Sequence, residues 1–488
     1  HTVMNLSYNE SQEPREITPV AHLSPTILAQ FNQSTGERFS LLDPPSHLVY
    51  DPEKRDQVNC GDCWVWAGTA VTEIDNAVRN DVLKQLSIQY FNSNWLNGQN
   101  CGCACCGGTA EEFAKFYNDK KKVIPWNNNL VDANGFLQTD FQDQNRNCID
   151  DWHCWLNRWD DLFNGKSCDV GTVASSSLNE NPKYKLNHIT VKRVNSIAEI
   201  KALLKQGKAL YFAFRQPWPA NPRWANDIGP FQDYWDAPPN PDAWTPIGAV
   251  DGNVGSNTWG HGVTCVGYDD TDLQNQTWIM LNSWGSPANR QDGIFYITQN
   301  LKYDTNAFKF YYFDISWVDD FGYTAIDSNS DASNKPSYNW IEISDDADAH
   351  EVLPDSDDDF ESGIPLGFYF NFYGTDYSQL AISNNGLLFS GEGSSEFVNE
   401  PIKRSSSVHG FIAPFWDDIV TWNGGKIYYK TIEPTLFNPK KKFVVEWKDN
   451  QHYSSSTSGV TFQVILYEGS NDILFQYKST SFGTVSGS

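Results

Sequence analysis

The chain has 488 residues, more than one ordinary core accommodates, which predicts two or three domains. With 61 acidic against 35 basic residues, its net charge of −26 argues against nucleic acid or an anionic membrane surface as a partner. Apolar residues make up 40% and aromatic residues 14%, ample for globular cores, yet no uninterrupted run of about 18 apolar residues is present to span a bilayer.

Residues 1–40 are polar and weakly periodic and read as an N-terminal extension draped over the domain that follows. The chain starts at His1 without an initiator Met or a hydrophobic leader, the expectation for a processed, secreted chain. Next, Gln57 stands six residues before Cys63, and Val65, Ala70, Ile74 and Ala77 recur at helical spacing, predicting a helix from Cys63 to Asn80. A thiol in the first turn of a helix has its thiolate favoured by unpaired backbone N–H groups and the positive end of the dipole. Further helices are expected to span Ala110 to Tyr117 after a Gly107-Gly108 turn, and Ile197 to Gln206. Strand-like runs follow at Leu210–Phe214, Val263–Tyr268, Trp278–Leu281 and Phe308–Ile315. The expected fold class is therefore α+β over residues 41–320.

Residues 321–337 are rich in Asp, Ser and Asn and read as a linker. Beyond it, over 338–488, cysteine disappears and short alternating strands separated by Gly, Asn, Asp or Pro predict an all-β antiparallel sandwich. The clearest are Leu380–Phe389, Lys426–Lys430, Phe443–Trp447, Thr461–Tyr467 and Ile473–Tyr477. Asp355 to Asp359, with Asp345, Asp346 and Asp348, could supply oxygen ligands for calcium, but without the regular spacing and glycine of a calcium loop a solvated acidic face is the simpler expectation. No other cofactor is expected.

All ten cysteines precede residue 266, and several are closely spaced. The spacings in Cys101-Gly-Cys103-Ala-Cys105-Cys106 fit poorly with structural zinc, so a disulfide framework in an oxidising compartment is expected. With Cys63 reactive and Cys265 in a buried strand, the candidates are Cys60, Cys101, Cys103, Cys105, Cys106, Cys148, Cys154 and Cys168. Sequons at Asn5, Asn9, Asn32 and Asn275 are compatible with surface glycosylation.

Cys60-Gly61-Asp62-Cys63-Trp64 resembles the nucleophile signature of the papain-like cysteine protease family. Gly260-His261-Gly262-Val263, Leu281-Asn282-Ser283-Trp284-Gly285, Gly293-Ile-Phe-Tyr-Ile297 and Cys105-Cys106-Gly107-Gly108 resemble that family's histidine strand, asparagine segment, following strand and cleft loop. The resemblance implies a two-lobed fold, one helical lobe and one barrel-like, with a peptide or protein substrate. It implies Cys63 as nucleophile, His261 as base and acid, Asn282 as its orienter, and Gln57 with the Cys63 N–H as oxyanion donors. Trp284 would shield the His–Asn bond, and Gly107, Gly108 and Gly260 would line the substrate cleft. Cys60 is implied to pair with Cys105 or Cys106, and Cys101 with Cys148. Cys63 and His261 are 198 residues apart, against about 130–150 in the family, so roughly fifty are inserted. Pro217 to Trp259 and Asp150 to Asp161 are the candidates. Asp62 departs from the family's small neutral residue; a carboxylate there opposes the thiolate unless it points outward.

Pro365–Gly374, Ser383-Asn-Asn-Gly386 and Ile412–Asp418 resemble phrases of nidogen-like extracellular domains and of accessory domains on secreted enzymes. The function this implies is a secreted, extracellular endopeptidase whose sandwich anchors or targets it, with a cell-surface or extracellular partner. The rival expectation is a structural or adhesive protein, compatible with self-assembly, that uses an inactive or occluded protease scaffold.

Overall fold

The computed structural model describes, in a first unit spanning His1–Ala325, residues 4–5, 36–43, 55–57, 61–80, 82–95, 104, 107–126, 130–131, 137–138, 183–220, 228–237, 243–287, 290, 292–319 and 321–325. In a second unit, Ile326–Ser488, it describes 326–328, 335–399, 410–436, 439–454 and 457–482. The eight disulfide candidates and the stretch from Asp150 to Asp161 lie outside the described residues.

In chain order the first unit contains β1 (Met4–Asn5), β2 (Arg38–Ser40), α1 (Cys63–Asn80), α2 (Ile88–Asn94), α3 (Ala110–Lys120), β3 (Lys122–Val123), β4 (Leu130–Val131), β5 (Leu137–Gln138), β6 (Tyr184–Val194), α4 (Ile197–Lys205), β7 (Leu210–Pro217), α5 (Pro230–Asp236), β8 (Thr258–Asp269), β9 (Thr277–Leu281), β10 (Ile294–Thr298) and β11 (Phe308–Val318). Helix α1 is buried on every side from Cys63 to Ala77, as its apolar run requires. It lies against α3, where Phe113 packs so closely on Gly68 that a Cβ there would come within 2.7 Å of the ring. Side chains cap the shorter helices: Ser87 accepts from the Tyr90 N–H at α2, Thr109 and Glu112 form a reciprocal capping box at α3, and Ser196 accepts from the Glu199 N–H at α4.

Among the described residues nine strands of this unit form one sheet, ordered β10-β9-β8-β7-β11-β6-β3, with β1 and β2 both paired to β8; β4 and β5 form a separate hairpin. Strand β8 is central and almost wholly buried. The N-terminal region thus contributes two strands to the sheet: Met4 opposite Gly260, and Phe39 opposite Tyr268. Gly267 permits the second, since a Cβ there would meet the Phe39 carbonyl oxygen at 2.2 Å. Strand β6 has no clean two-residue period, because a register shift opposite Ser316 and Trp317 interrupts the alternation.

The second unit is all β among its described residues, apart from one short 3-10 turn. It comprises β12 (His350–Val352), β13 (Phe360–Phe372), β14 (Thr375–Ser383), β15 (Leu388–Phe389), β16 (Phe411–Ile412), β17 (Ile419–Val420), β18 (Lys426–Ile432), β19 (Lys442–His452), β20 (Val460–Tyr467) and β21 (Ile473–Ser479). One sheet runs β13-β14-β15-β16 and the other β12-β18-β19-β20-β21, with β17 on β19. The two sheets meet where the Trp447 indole donates to the Ser383 carbonyl at 3.1 Å and stacks on Phe462 at 4.8 Å. Leu380–Phe389 is two strands rather than one. The turn between them needs Gly386 at φ +75°, where a Cβ would fall 1.8 Å from the Phe415 carbonyl oxygen.

Candidate active site

Three elements deliver the predicted residues to one place. Helix α1 begins at Cys63 and packs on β8, where the Gly262 N–H points at Cys63 Sγ from 3.3 Å and the Thr264 hydroxyl donates to the Ala67 carbonyl at 3.1 Å. Gly262 makes the approach possible, because a Cβ would meet the Tyr211 hydroxyl at 2.9 Å and Trp64 Cα at 3.2 Å. Strands β8 and β9 are antiparallel with Thr264 opposite Leu281, so the residues after Leu281 run alongside those before Thr264. This brings Asn282 to His261, with Nε2 and Oδ1 2.8 Å apart.

That contact fixes the imidazole. Asn282 Oδ1 also accepts the Ser283 N–H at 2.9 Å, so it acts as an acceptor and His261 Nε2 carries a hydrogen. Nδ1 is buried without a hydrogen-bond partner, as the proton-accepting nitrogen of a neutral ring. The Trp284 ring lies 4.6 Å from the imidazole, and Phe214, opposite His261 on β7, meets it edge-on at 5.7 Å.

Gln57 arrives by backbone pairing: its N–H donates to the Ser283 carbonyl at 2.8 Å, and the Gly285 N–H donates to the Arg55 carbonyl at 2.9 Å. The Ser283 hydroxyl donates to Gln57 Oε1 at 2.7 Å, which turns the amide so that Nε2 is the donating end. Ser283 is thus an orienting residue that the motif reading passed over. So are Phe231 and Trp235 on α5, which comes from the suspected insertion at Pro217 to Trp259. Phe231 sits 6.1 Å from His261 and 5.2 Å from Trp284, and Trp235 packs on Trp284 at 5.7 Å.

The glycines have distinct places. Gly108 is buried with its Cα against the indole of Trp64, where a Cβ would come within 2.5 Å, while Gly107 is half-buried at φ +89°. Trp64 is held in turn by an indole bond to the Ala104 carbonyl at 2.7 Å. Gly260 is buried on β8 between Arg215 and Met4.

The site is dry. Cys63, His261 and Gln57 are each 0% exposed. Burial pushes the Cys63 thiol up to about 12, against the lowering effect of the Gly262 N–H, while Asp62 raises it further. Burial pulls His261 down to about 4, with the Asn282 bond opposing. Burial therefore favours the neutral thiol and neutral imidazole over a thiolate–imidazolium pair. Asp62 does not point outward: it is 0% exposed and accepts from Asn92 Nδ2 at 2.8 Å. Its charge works against the thiolate from inside the protein. Asp62→Asn preserves an acceptor for Asn92, so the pH profile of Cys63 alkylation by iodoacetamide is expected to move to lower pH, with labelling about threefold faster for each unit moved, the tenfold gain in thiolate being offset in part by its lower nucleophilicity. An unchanged profile would remove Asp62 from the site's electrostatics.

Cys265 is a buried free thiol on β8, as its strand position suggested. In the second unit the acidic residues separate. Asp346 and Asp348 pair with Lys430, whereas Asp357, Asp358 and Asp418 bring carboxylate oxygens within 4.8 Å of one another.

Residues 247–313 match the family model described as papain family cysteine protease, and residues 332–488 match the one described as NIDO related. The chain joins a papain-like unit to a NIDO-related one. The papain-family match takes in His261 and Asn282 and stops short of Cys63 and Gln57. Alpha-tectorin of Homo sapiens is 31% identical over 158 residues, and that of Mus musculus 32%; in each case 28% of this chain aligns with 7% of the relative, so the chain spans a small part of these proteins. Among solved structures, proCathepsin B S9 from Trypanosoma congolense is 13% identical over 63% of this chain and 85% of its own, with a TM-score of 0.37. The bromelain protease from Ananas comosus in complex with the E64 inhibitor is 15% identical over 57% and 97%, with a TM-score of 0.34. Both scores are below 0.5, and the assignment of the papain-like unit rests on the family match and the side-chain arrangement. Among the described residues no helix is long and apolar enough to cross a membrane.

Proposed function

We propose that the papain-like unit is a cysteine peptidase that cleaves peptide bonds in protein substrates outside the cell, and that the NIDO-related unit anchors or targets it. The observation that carries this is the convergence of separate elements: the Gly262 N–H, next to His261, points at Cys63 Sγ, Asn282 bonds His261 Nε2, and the Ser283 hydroxyl orients Gln57. Cys63 Sγ, its proton passed to His261 Nδ1, attacks the substrate carbonyl. The oxyanion is met by the Cys63 N–H and Gln57 Nε2. His261 then gives its proton to the leaving amine, and water hydrolyses the thioester. The cysteine content supports an oxidising, extracellular setting.

The burial of the site favours a second reading, a structural or adhesive protein whose protease scaffold is occluded. Every group named above is shielded from water, and β1 pairs with β8 at Gly260, next to His261. A thiol-directed epoxide peptide, read by intact mass and peptide mapping before and after trimming the N-terminal residues, separates the two. One adduct on Cys63, absent in Cys63→Ala and accompanied by cleavage of a fluorogenic peptide, is the expected result. No adduct after trimming and mild reduction would favour the scaffold reading.

A further inference from the structure

In the NIDO-related unit, residues 339–343 cross the face of the six-stranded sheet as an extended segment held by side chains rather than by a neighbouring strand. Gln476 on β21 grips Asn339, accepting its N–H at 2.6 Å and donating to its carbonyl at 2.9 Å. Gln463 on β20 grips Ile341 in the same way, at 3.2 and 3.1 Å, and its Oε1 also accepts from Gln476 Nε2 at 2.9 Å. On β19 the third rung is Glu446, directly opposite Gln463, and it accepts the Ile343 N–H at 3.4 Å. Alternate residues of the segment thus meet one side chain from each successive strand. Ile343 is buried with Val444 and Ile465, and Ile341 packs against the same cluster.

Two rungs are amides and one is a carboxyl, and that difference is the device. Glu446 is fully buried, and the carboxyl of Glu342 on the segment itself faces it, close enough to share a hydrogen bond while Glu446 keeps its proton; the Lys448 ammonium opposes this more weakly than burial and Glu342 favour it. The Ser344 hydroxyl donates to the Glu342 carboxylate, Lys448 on β19 meets that hydroxyl at 2.6 Å and Lys478 on β21 approaches Glu342 at 3.7 Å, so Glu342 is the member of the pair kept ionised. Opposite Glu446 on β18 stands Tyr428, whose phenol is pushed up by burial and stays neutral. We propose that residues 339–343 form a proton-operated strap, clamped to the sheet while Glu446 is protonated and loosened as that proton is lost. Ionisation would set two carboxylates against each other at a buried contact.

Burial, with Glu342 next, pushes Glu446 from its ordinary 4.5 up to about 7. A raised carboxyl holds the strap fully below the ordinary value and loses its hold as pH rises toward 7. Hydrogen exchange of the full chain, read by mass spectrometry on the amides of Asn339, Ile341 and Ile343 and corrected for intrinsic rates, tests this. Protection is expected to fall between ten- and about a hundredfold from pH 5.0 to pH 7.5. In Glu446→Gln, whose amide repeats the other two rungs, protection should lose that pH dependence. Because Glu73 in the papain-like unit is also pushed up to about 7 by burial, only the strap amides are diagnostic. Equal corrected protection at the two pH values in the parent, or an undiminished pH dependence in Glu446→Gln, would overturn the proposal. Should Glu446→Gln unclamp the strap outright, Glu342→Gln serves instead: it removes the like charge and is expected to flatten the same profile.

Discussion

Replacing His261 with alanine is expected to lower kcat/KM for a fluorogenic peptide by about 10³-fold, the scale of a positioned acid–base group. The size follows from where the imidazole sits. Burial pushes the thiol up to about 12, so Cys63 alone is almost entirely protonated at neutral pH. Its proton needs an acceptor when the thiol reacts, and His261 Nδ1, buried with no hydrogen-bond partner, is available for that role while Nε2 is committed to Asn282. Without the ring, alkylation of Cys63 should rise only in alkaline solution, and the neutral-pH component should vanish. A folded His261→Ala protein that keeps activity within tenfold of the parent would refute the assignment. Asn282→Ala should do less harm, since it frees the ring to rotate without removing the base.

The second large effect is expected in the NIDO-related unit. Trp447→Ala should cost about 3–5 kcal/mol of that unit's stability, the range for deleting a buried indole or phenyl group. Trp447 is 0% exposed, stacks on Phe462 with planes 13° apart, and ties β19 to the end of β14 through the Ser383 carbonyl. Its loss leaves a cavity between the two sheets and an unpaired carbonyl. Hydrogen exchange of the full chain measures it: amides of β19 and β20 should open more readily by that free energy. A change under 1 kcal/mol would mean that the sheets close over the gap, and that Trp447 is not the centre of their contact.

Much of this was legible in the residues. The helix expected from Cys63 to Asn80 has those bounds, because apolar spacing and a dipole-compatible first turn are local properties. The strands at Val263, Trp278 and Phe308 likewise announced themselves through short runs rich in β-branched, aromatic and other apolar residues. Strand β6 did not, because its register shift breaks the alternation that a sequence shows. Helix α5 lay hidden in a Trp- and Pro-rich stretch, too short at seven residues to display a period.

For the site, motif order nominated Cys63, Gln57, His261 and Asn282, since each is a residue type suited to one chemical task. It could not show that Asp62 turns inward to Asn92, that Ser283 orients Gln57, or that Phe231 comes from a distant helix to cover His261. Nor could it show that Glu446, Gln463 and Gln476, on three strands, hold one segment across a sheet. These contacts join residues tens to hundreds of positions apart, so they exist only once the strands have paired. Sequence by itself determined which groups are candidates for the chemistry and which segments become helix or strand, because those depend on side-chain type and short-range period. Tertiary structure alone decided their burial, and with it the preference of Cys63 and His261 for their neutral forms and the raised proton affinity of Glu446, because desolvation depends on everything packed around a group.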